Sequence, residues 1–133
     1  MKKIFLVLLF PLLMVAMCCK INDCGNNCSN TYSSRCFIKN ETDIDLVFLT
    51  GIYHLVIETQ SKKPLTSISD TNGLYKPSEM LNSLKLYKYN DEGGLVPVYS
   101  QKPIIDGLWK FNEFSETKGY YTLSVTNAML NIK

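Results

Sequence analysis

From Cys36 onward the apolar positions fall in short runs of β-branched and aromatic residues separated by Asn, Asp, Gly and Pro. Runs and punctuation of this kind belong to strands and turns. They predict strands at 36–40, 43–50, 52–59, 84–90, 95–100, 107–114, 120–126 and 129–132. No stretch of useful length carries the 3.6-residue apolar period of a helix. Only Ser78-Glu79-Met80-Leu81-Asn82, behind Pro77, predicts about one helical turn.

Alternation sets faces and registers. A turn at Thr50-Gly51 places Phe48 opposite Tyr53, Leu46 opposite Leu55 and Ile44 opposite Ile57, with Val47 and His54 on the other side. A bulge at Gly51 in one long strand keeps the same faces. A turn at Asn127-Ala128 pairs Val125 with Leu130 and Leu123 with Ile132, leaving Ser124 outside, because Asn tolerates the left-handed backbone such turns need. A third hairpin turns within Asn90-Asp91-Glu92-Gly93-Gly94, and one residue of loop length decides the face of Tyr87 and Tyr89. Trp109 and Phe111 alternate with Leu108, Lys110 and Asn112 as a core-facing pair would. Residues 60–83, rich in Ser, Lys, Thr and Asn, predict a long irregular connection, of a size that binds something or crosses between sheets.

Six to eight strands with no helical layer predict an all-β domain over residues 36–133. The expected form is a single antiparallel β-sandwich, with a small β-barrel as the alternative. The run Gly119-Tyr120-Tyr121-Thr122-Leu123 is similar to the lead-in of a late strand in immunoglobulin-like and transthyretin-like sandwiches.

The chain ahead of this body has a different character. Lys2 and Lys3 precede an uncharged stretch from Ile4 to Met17, broken only by Pro11. As a helix it would cover roughly 21 Å at about 1.5 Å per residue. The hydrocarbon core is about 30 Å thick, so the stretch reads as a signal-peptide core. Val15-Ala16-Met17 then leads directly into Cys18-Cys19. This segment resembles a bacterial lipoprotein signal, although Met17 stands where that family prefers Gly, Ala or Ser. The resemblance implies a signal peptide over 1–17 and lipid attachment at Cys18, with Cys19 as the alternative. It also implies a location in the cell envelope as an outer-membrane lipoprotein, with the periplasmic or surface side left open. More loosely, the basic start, the cysteine anchor and the Asn-, Lys- and Tyr-rich body look like small lipoproteins of Bacteroidota.

Residues 18–35 form a neck rich in Cys and Asn. All five cysteines lie at 18, 19, 24, 28 and 36. With Cys18 lipidated, Cys19, Cys24, Cys28 and Cys36 remain as disulfide candidates with three possible pairings. The spacing lacks a fourth ligand for a structural zinc, and the Asp/Asn-rich collar lacks the alternation of a calcium loop, so no metal and no cofactor are expected.

Lys+Arg total 14 and Asp+Glu 12; setting aside Lys2 and Lys3 leaves twelve of each, a neutral mature chain that argues against nucleic acid as a partner. Catalytic chemistry finds little footing. His54 is the sole histidine, no Gly-x-Ser-x-Gly elbow or phosphate loop is present, and Asp43/Asp45 and Asp91/Glu92 sit at a strand start and a turn tip. Asn40-Glu41-Thr42 and Asn27-Cys28-Ser29 match N-glycosylation acceptors, which matters only in a eukaryotic source. Aromatic residues, 11% of the chain, are the better clue, and Tyr75, Tyr87 and Tyr89 are the candidate ligand-binding residues. The expected function is that of a lipid-anchored, non-catalytic envelope protein, held at the membrane by its lipid. It would bind a glycan or an envelope protein, or act as a structural accessory. The alternatives are a secreted disulfide-containing inhibitor or effector, and a small hydrolase.

Overall fold

The computed structural model describes residues 30–132. The expected signal peptide, the lipid-attachment residues Cys18 and Cys19, and the neck cysteines Cys24 and Cys28 lie outside the described residues.

Eight strands follow in order: β1 (Tyr32–Glu41), β2 (Leu46–Thr50), β3 (Tyr53–Ile57), β4 (Lys62–Asp70), β5 (Leu84–Tyr89), β6 (Leu95–Gln101), β7 (Lys110–Ser115) and β8 (Lys118–Thr126). They form two four-stranded sheets, ordered β4-β1-β8-β7 and β3-β2-β5-β6. Neither sheet closes on itself, so the fold is an all-β sandwich and not a barrel. One short helix, α1 (Pro77–Met80), starts at proline, and the Glu79 carboxylate accepts from the Lys76 backbone N–H ahead of it.

The sandwich is held by one cluster drawn from both sheets. Cys36, Ile38, Leu123 and Val125 come from the first sheet; Leu46, Ile57, Leu84, Leu86, Val98 and Tyr99 come from the second. Strand alternation explains the selection. In β1, Ser34, Cys36, Ile38 and Asn40 are buried, while Arg35 and Lys39 between them are exposed. Trp109 closes the cluster at 5% exposure, and its indole N–H donates to Gln101 Oε1. Phe111, expected beside Trp109 in the core, is instead 42% exposed on the edge strand β7. It leans on Tyr121 with ring centroids 4.9 Å apart. Its ring also covers Gly119, where a Cβ would come within 2.5 Å of it.

Four expectations change. The segment read as an irregular connection contains β4, an edge strand that pairs antiparallel with β1. Its apolar content is thin because one side of its ladder is open. The expected 129–132 strand is absent: residues 127–129 form a 3-10 turn, and the Asn131 N–H donates across to the Val98 carbonyl of β6. Instead of a terminal hairpin, β8 takes two other neighbours, β7 antiparallel and β1 parallel. The sheet is therefore mixed rather than wholly antiparallel, a pairing open to β1 and β8 because the intervening chain provides the long crossover. Finally, the β2–β3 turn falls at Gly51-Ile52, with Gly51 at φ +60°, so Leu46 faces Ile57 and Phe48 faces Leu55. The register moves, yet Ile44, Leu46, Phe48, Leu55 and Ile57 stay on the core side, while Tyr53, expected among them, pairs with Thr50 and is 71% exposed.

Candidate ligand-binding face

The three tyrosines singled out from the sequence are not brought together. Tyr75 lies beyond β4, with its backbone N–H donating to Ser34 Oγ and its hydroxyl donating to Asp70 Oδ2 at 2.5 Å. That hydrogen bond, followed by the Thr71 N–H, holds the Asp70 carboxyl below its ordinary value, and the same contact raises the Tyr75 hydroxyl. Tyr87 and Tyr89 sit on the outer face of the second sheet. Tyr87 pairs with Val47 and Pro97, and the Lys85 ammonium lies 5.9 Å from its ring. Tyr89, at 46% exposure, has its hydroxyl 3.1 Å from His54 Nδ1, and among the described residues no carboxylate lies within pairing distance of that imidazole. The β5–β6 hairpin closes through a five-residue turn in which Asn90 Oδ1 accepts from the N–H groups of Glu92 and Gly94.

Cys36, one of the four disulfide candidates, is the one cysteine among the described residues and carries a free thiol. It is fully buried, with its Sγ 3.7 Å from Met80 Sδ. Burial, and secondarily the charge of Asp106, pushes the thiol up to about 12. No group of three potential metal-ligating side chains occurs among the described residues, and no described helix is long and apolar enough to cross a membrane.

A shallow concavity lies elsewhere, on the outer face of β4-β1-β8-β7. A depression of about 390 Å³ is lined by Lys39, Glu41, Lys62, Lys110, Asn112, Tyr120, Thr122 and Ser124. A second, of about 270 Å³, lies over Arg35 and Pro64–Ser67, where β1 and β4 slip register. Pairing explains the convergence. Lys39 faces Lys62 across β1–β4 and Ser124 across β1–β8, while Lys110 faces Thr122 and Asn112 faces Tyr120 across β7–β8. The Lys62 ammonium sits 4.7 Å from the centroid of Phe37 and 4.5 Å from that of Tyr120, and the two rings meet edge to face at 5.7 Å. Lys39 pairs with Glu41 at 2.5 Å. The Thr122 hydroxyl, buried at the level of the atom, has no hydrogen-bond partner among the described residues.

Sequence reasoning passed over this face, because its residues come from four strands and none stands in a motif. One local signal was present. Along β8, Tyr120, Thr122, Ser124 and Thr126 alternate with Tyr121, Leu123 and Val125, of which Leu123 and Val125 are buried. Such a row offers hydroxyls from a rigid sheet to whatever lies above it.

No protein-family model, curated protein or solved structure matches this chain.

Proposed function

We propose that this chain is a lipid-anchored cell-envelope protein whose sandwich binds a glycan, without turning it over, through the outer face of β4-β1-β8-β7. The observation that carries the reading is the depression between Lys39, Lys62 and Lys110. Its floor and walls combine Thr122 and Ser124 hydroxyls, the Asn112 amide and the Tyr120 phenol. Sugars present closely spaced hydroxyls, and a rigid sheet carrying donors and acceptors at fixed pleat spacing matches them. The volume falls within the roughly 300–1,000 Å³ range of small-ligand sites, open on one side as a chain-like ligand requires.

The geometry also suits an anchor ahead of β1. Tyr32 begins β1 beside Asp70, at the end where β4 finishes, and Ser33 pairs with Lys118 at the start of β8. Lys39, Lys62 and Ser124 belong to the opposite half of the sheet, away from where the chain enters. Two measurements test the reading. Full-length protein purified in detergent is expected to bind on a glycan array, and Asn112→Ala with Ser124→Ala should weaken capture by about tenfold with an unchanged melting temperature. A blank array sinks the glycan reading. Labelling with a palmitate analogue should be abolished by Cys18→Ala, or by Cys19→Ala if attachment lies one residue later; unlabelled wild type removes the anchor.

A further inference from the structure

We propose that the ligand of this face is an acidic polysaccharide, recognised through its carboxylate or sulfate groups; this rests on the glycan reading above and narrows it. The first support is the distribution of charge. The chain beyond residue 18 has as many acidic as basic side chains. Yet strand alternation places Arg35, Lys39, Lys62, Lys110 and Lys118 on one outer face, and none of the positions paired with them is a carboxylate; Glu41 stands on the same face two residues along β1 from Lys39, and Glu116 lies in the turn before Lys118. The compensating carboxylates lie elsewhere, as at Asp91 and Glu92 on the β5–β6 hairpin and Asp43 and Asp45 before β2. A neutral protein sorted in this way presents a positive field in one direction.

The second support is that most of these cations are unpaired. The ion pairs among the described residues are Lys39–Glu41 and Lys63–Glu58. Lys62 is held over two aromatic rings, and Lys110, Arg35 and Lys118 have no carboxylate within pairing distance among the described residues. The third support is the polar lining between the cations: the Ser124 hydroxyl and the Asn112 amide line the same depression as Lys39, Lys62 and Lys110. Donors beside an ammonium are the local arrangement that a sugar acid or sulfate ester accepts from.

The same contacts argue against a neutral glycan or a single-stranded nucleic acid. Either would want open ring faces for stacking. Here Phe37 and Tyr120 meet edge to face and Lys62 caps both, which leaves charge and hydroxyls as the recognition chemistry. The cations also extend along the sheet, from the Ser33–Lys118 level to the Lys39–Ser124 level. At roughly 3.3 Å per residue that is about 20 Å. A line of that length fits charges repeating along an extended polymer better than a single lipid headgroup.

The test uses full-length protein in detergent, captured on a sensor, against polygalacturonate, dextran sulfate, uncharged dextran and phosphatidylglycerol vesicles. Expected are binding to one or both acidic polymers, none to uncharged dextran, and a loss of affinity as salt rises from about 50 to about 200 mM. The variant Lys39→Gln/Lys62→Gln/Lys110→Gln should bind at least about 30-fold more weakly. A control with the same net charge, Lys76→Gln/Lys85→Gln/Lys102→Gln, should lose less than about threefold. All six side chains are exposed, so both variants should keep the wild-type melting temperature. Equal losses in the two variants mean diffuse attraction and overturn the assigned face. Binding of neutral glycans that ignores the lysine changes overturns the acidic ligand while leaving the glycan reading intact. No glycan binding of any kind defeats both, and lysine-dependent binding to vesicles alone replaces the polysaccharide with a lipid surface.

Discussion

The Thr42 hydroxyl donates to Asn40 Oδ1 at 2.7 Å, and both residues are buried at the end of β1. The Asn40 amide nitrogen in turn donates to the carbonyls of Ile44 and Ile57, each at 2.8 Å, and Asn40 Oδ1 also accepts from the Thr42 N–H. Three positions that read in sequence as a glycosylation acceptor are thus a tie between β1, the turn before β2 and the end of β3. Asn40→Ala would strand two carbonyls and an N–H, and is expected to cost about 3 kcal/mol. Thr42→Val should cost about 1–2 kcal/mol. Urea denaturation of the full chain measures both, and losses below about 0.5 kcal/mol would show that solvent replaces the network.

β8 offers a contrast between adjacent pleats. Leu123 and Val125 are at 1% and 0% exposure, whereas Ser124 lines the outer depression. Leu123→Asp or Val125→Asp buries an unpaired charge and is expected to unfold the domain, at a cost of at least about 4 kcal/mol. Ser124→Asp should change the melting temperature little. It should, however, weaken capture of an acidic polymer by placing a carboxylate opposite Lys39. Equal mildness in thermal denaturation would contradict the β1–β8 register.

The Cys36 thiol should resist 5,5′-dithiobis(2-nitrobenzoate) at pH 8 in the folded protein and react once urea is added. Its folded value, raised to about 12, exceeds the ordinary thiol value near 9. The protonated thiol is therefore favoured by folding. Its contribution is complete below about pH 9 and is lost as pH rises from there towards about 12. Replacing the thiol by Cys36→Ala should lower stability at pH 7 and flatten this alkaline decline. Rapid labelling of Cys36 itself, located by peptide mapping, would place the thiol at the surface.

Tyr75→Phe removes the phenol that holds the Asp70 carboxyl down. Carbon-detected NMR titration should then show the Asp70 midpoint moving upward, towards the ordinary carboxylate value. A lowered folded value stabilises above the unfolded carboxylate range and is lost as pH falls through the folded midpoint. The variant should consequently lose less stability than wild type on acidification. An unmoved midpoint would mean that the Thr71 and Asn72 contacts, not Tyr75, set the value.

These residues also show where local sequence was sufficient. Alternation in 120–126 and in 43–57 identified the core sides of β8, β2 and β3, because a one-residue slip would send every apolar side chain to solvent. Trp109 was legible as core for the same reason. Neighbour identity was not. Nothing within 120–126 states that β1, at 36–40, lies alongside, since that pairing is written only in the packing of the two sheets. β4 escaped notice because Lys62-Lys63-Pro64-Leu65-Thr66-Ser67-Ile68 is polar by composition. An edge strand with an outward face of Lys, Pro and Ser carries almost no period-2 signal.

The candidate face was illegible for a related reason. Lys39, Lys62 and Lys110 are scattered in sequence and unremarkable singly, and the balanced charge of the chain concealed their clustering. The expected tyrosines stood out by type, yet Tyr75 is occupied by Asp70 and Tyr89 by His54. The expected turn at Asn127-Ala128 carried genuine turn chemistry but served another partner, since it forms a 3-10 turn and Asn127 Oδ1 accepts from the Asp43 N–H.

The parallel contact between β1 and β8 has a consequence for the order in which the molecule can be assembled. Ser33 rests against Lys118 and Glu41 against Thr126, so the centre of the first sheet is completed only when residues 118–126 are available. A nascent or partly threaded chain lacking them leaves one side of β1 without a hydrogen-bonding neighbour and Cys36 and Ile38 without Leu123 over them. Closing so distant a pairing makes for slow folding, in the millisecond-to-second range of sheet proteins dominated by non-local contacts. A chain truncated before residue 118 should therefore leave the apolar side of β1 uncovered and fail to close the sandwich.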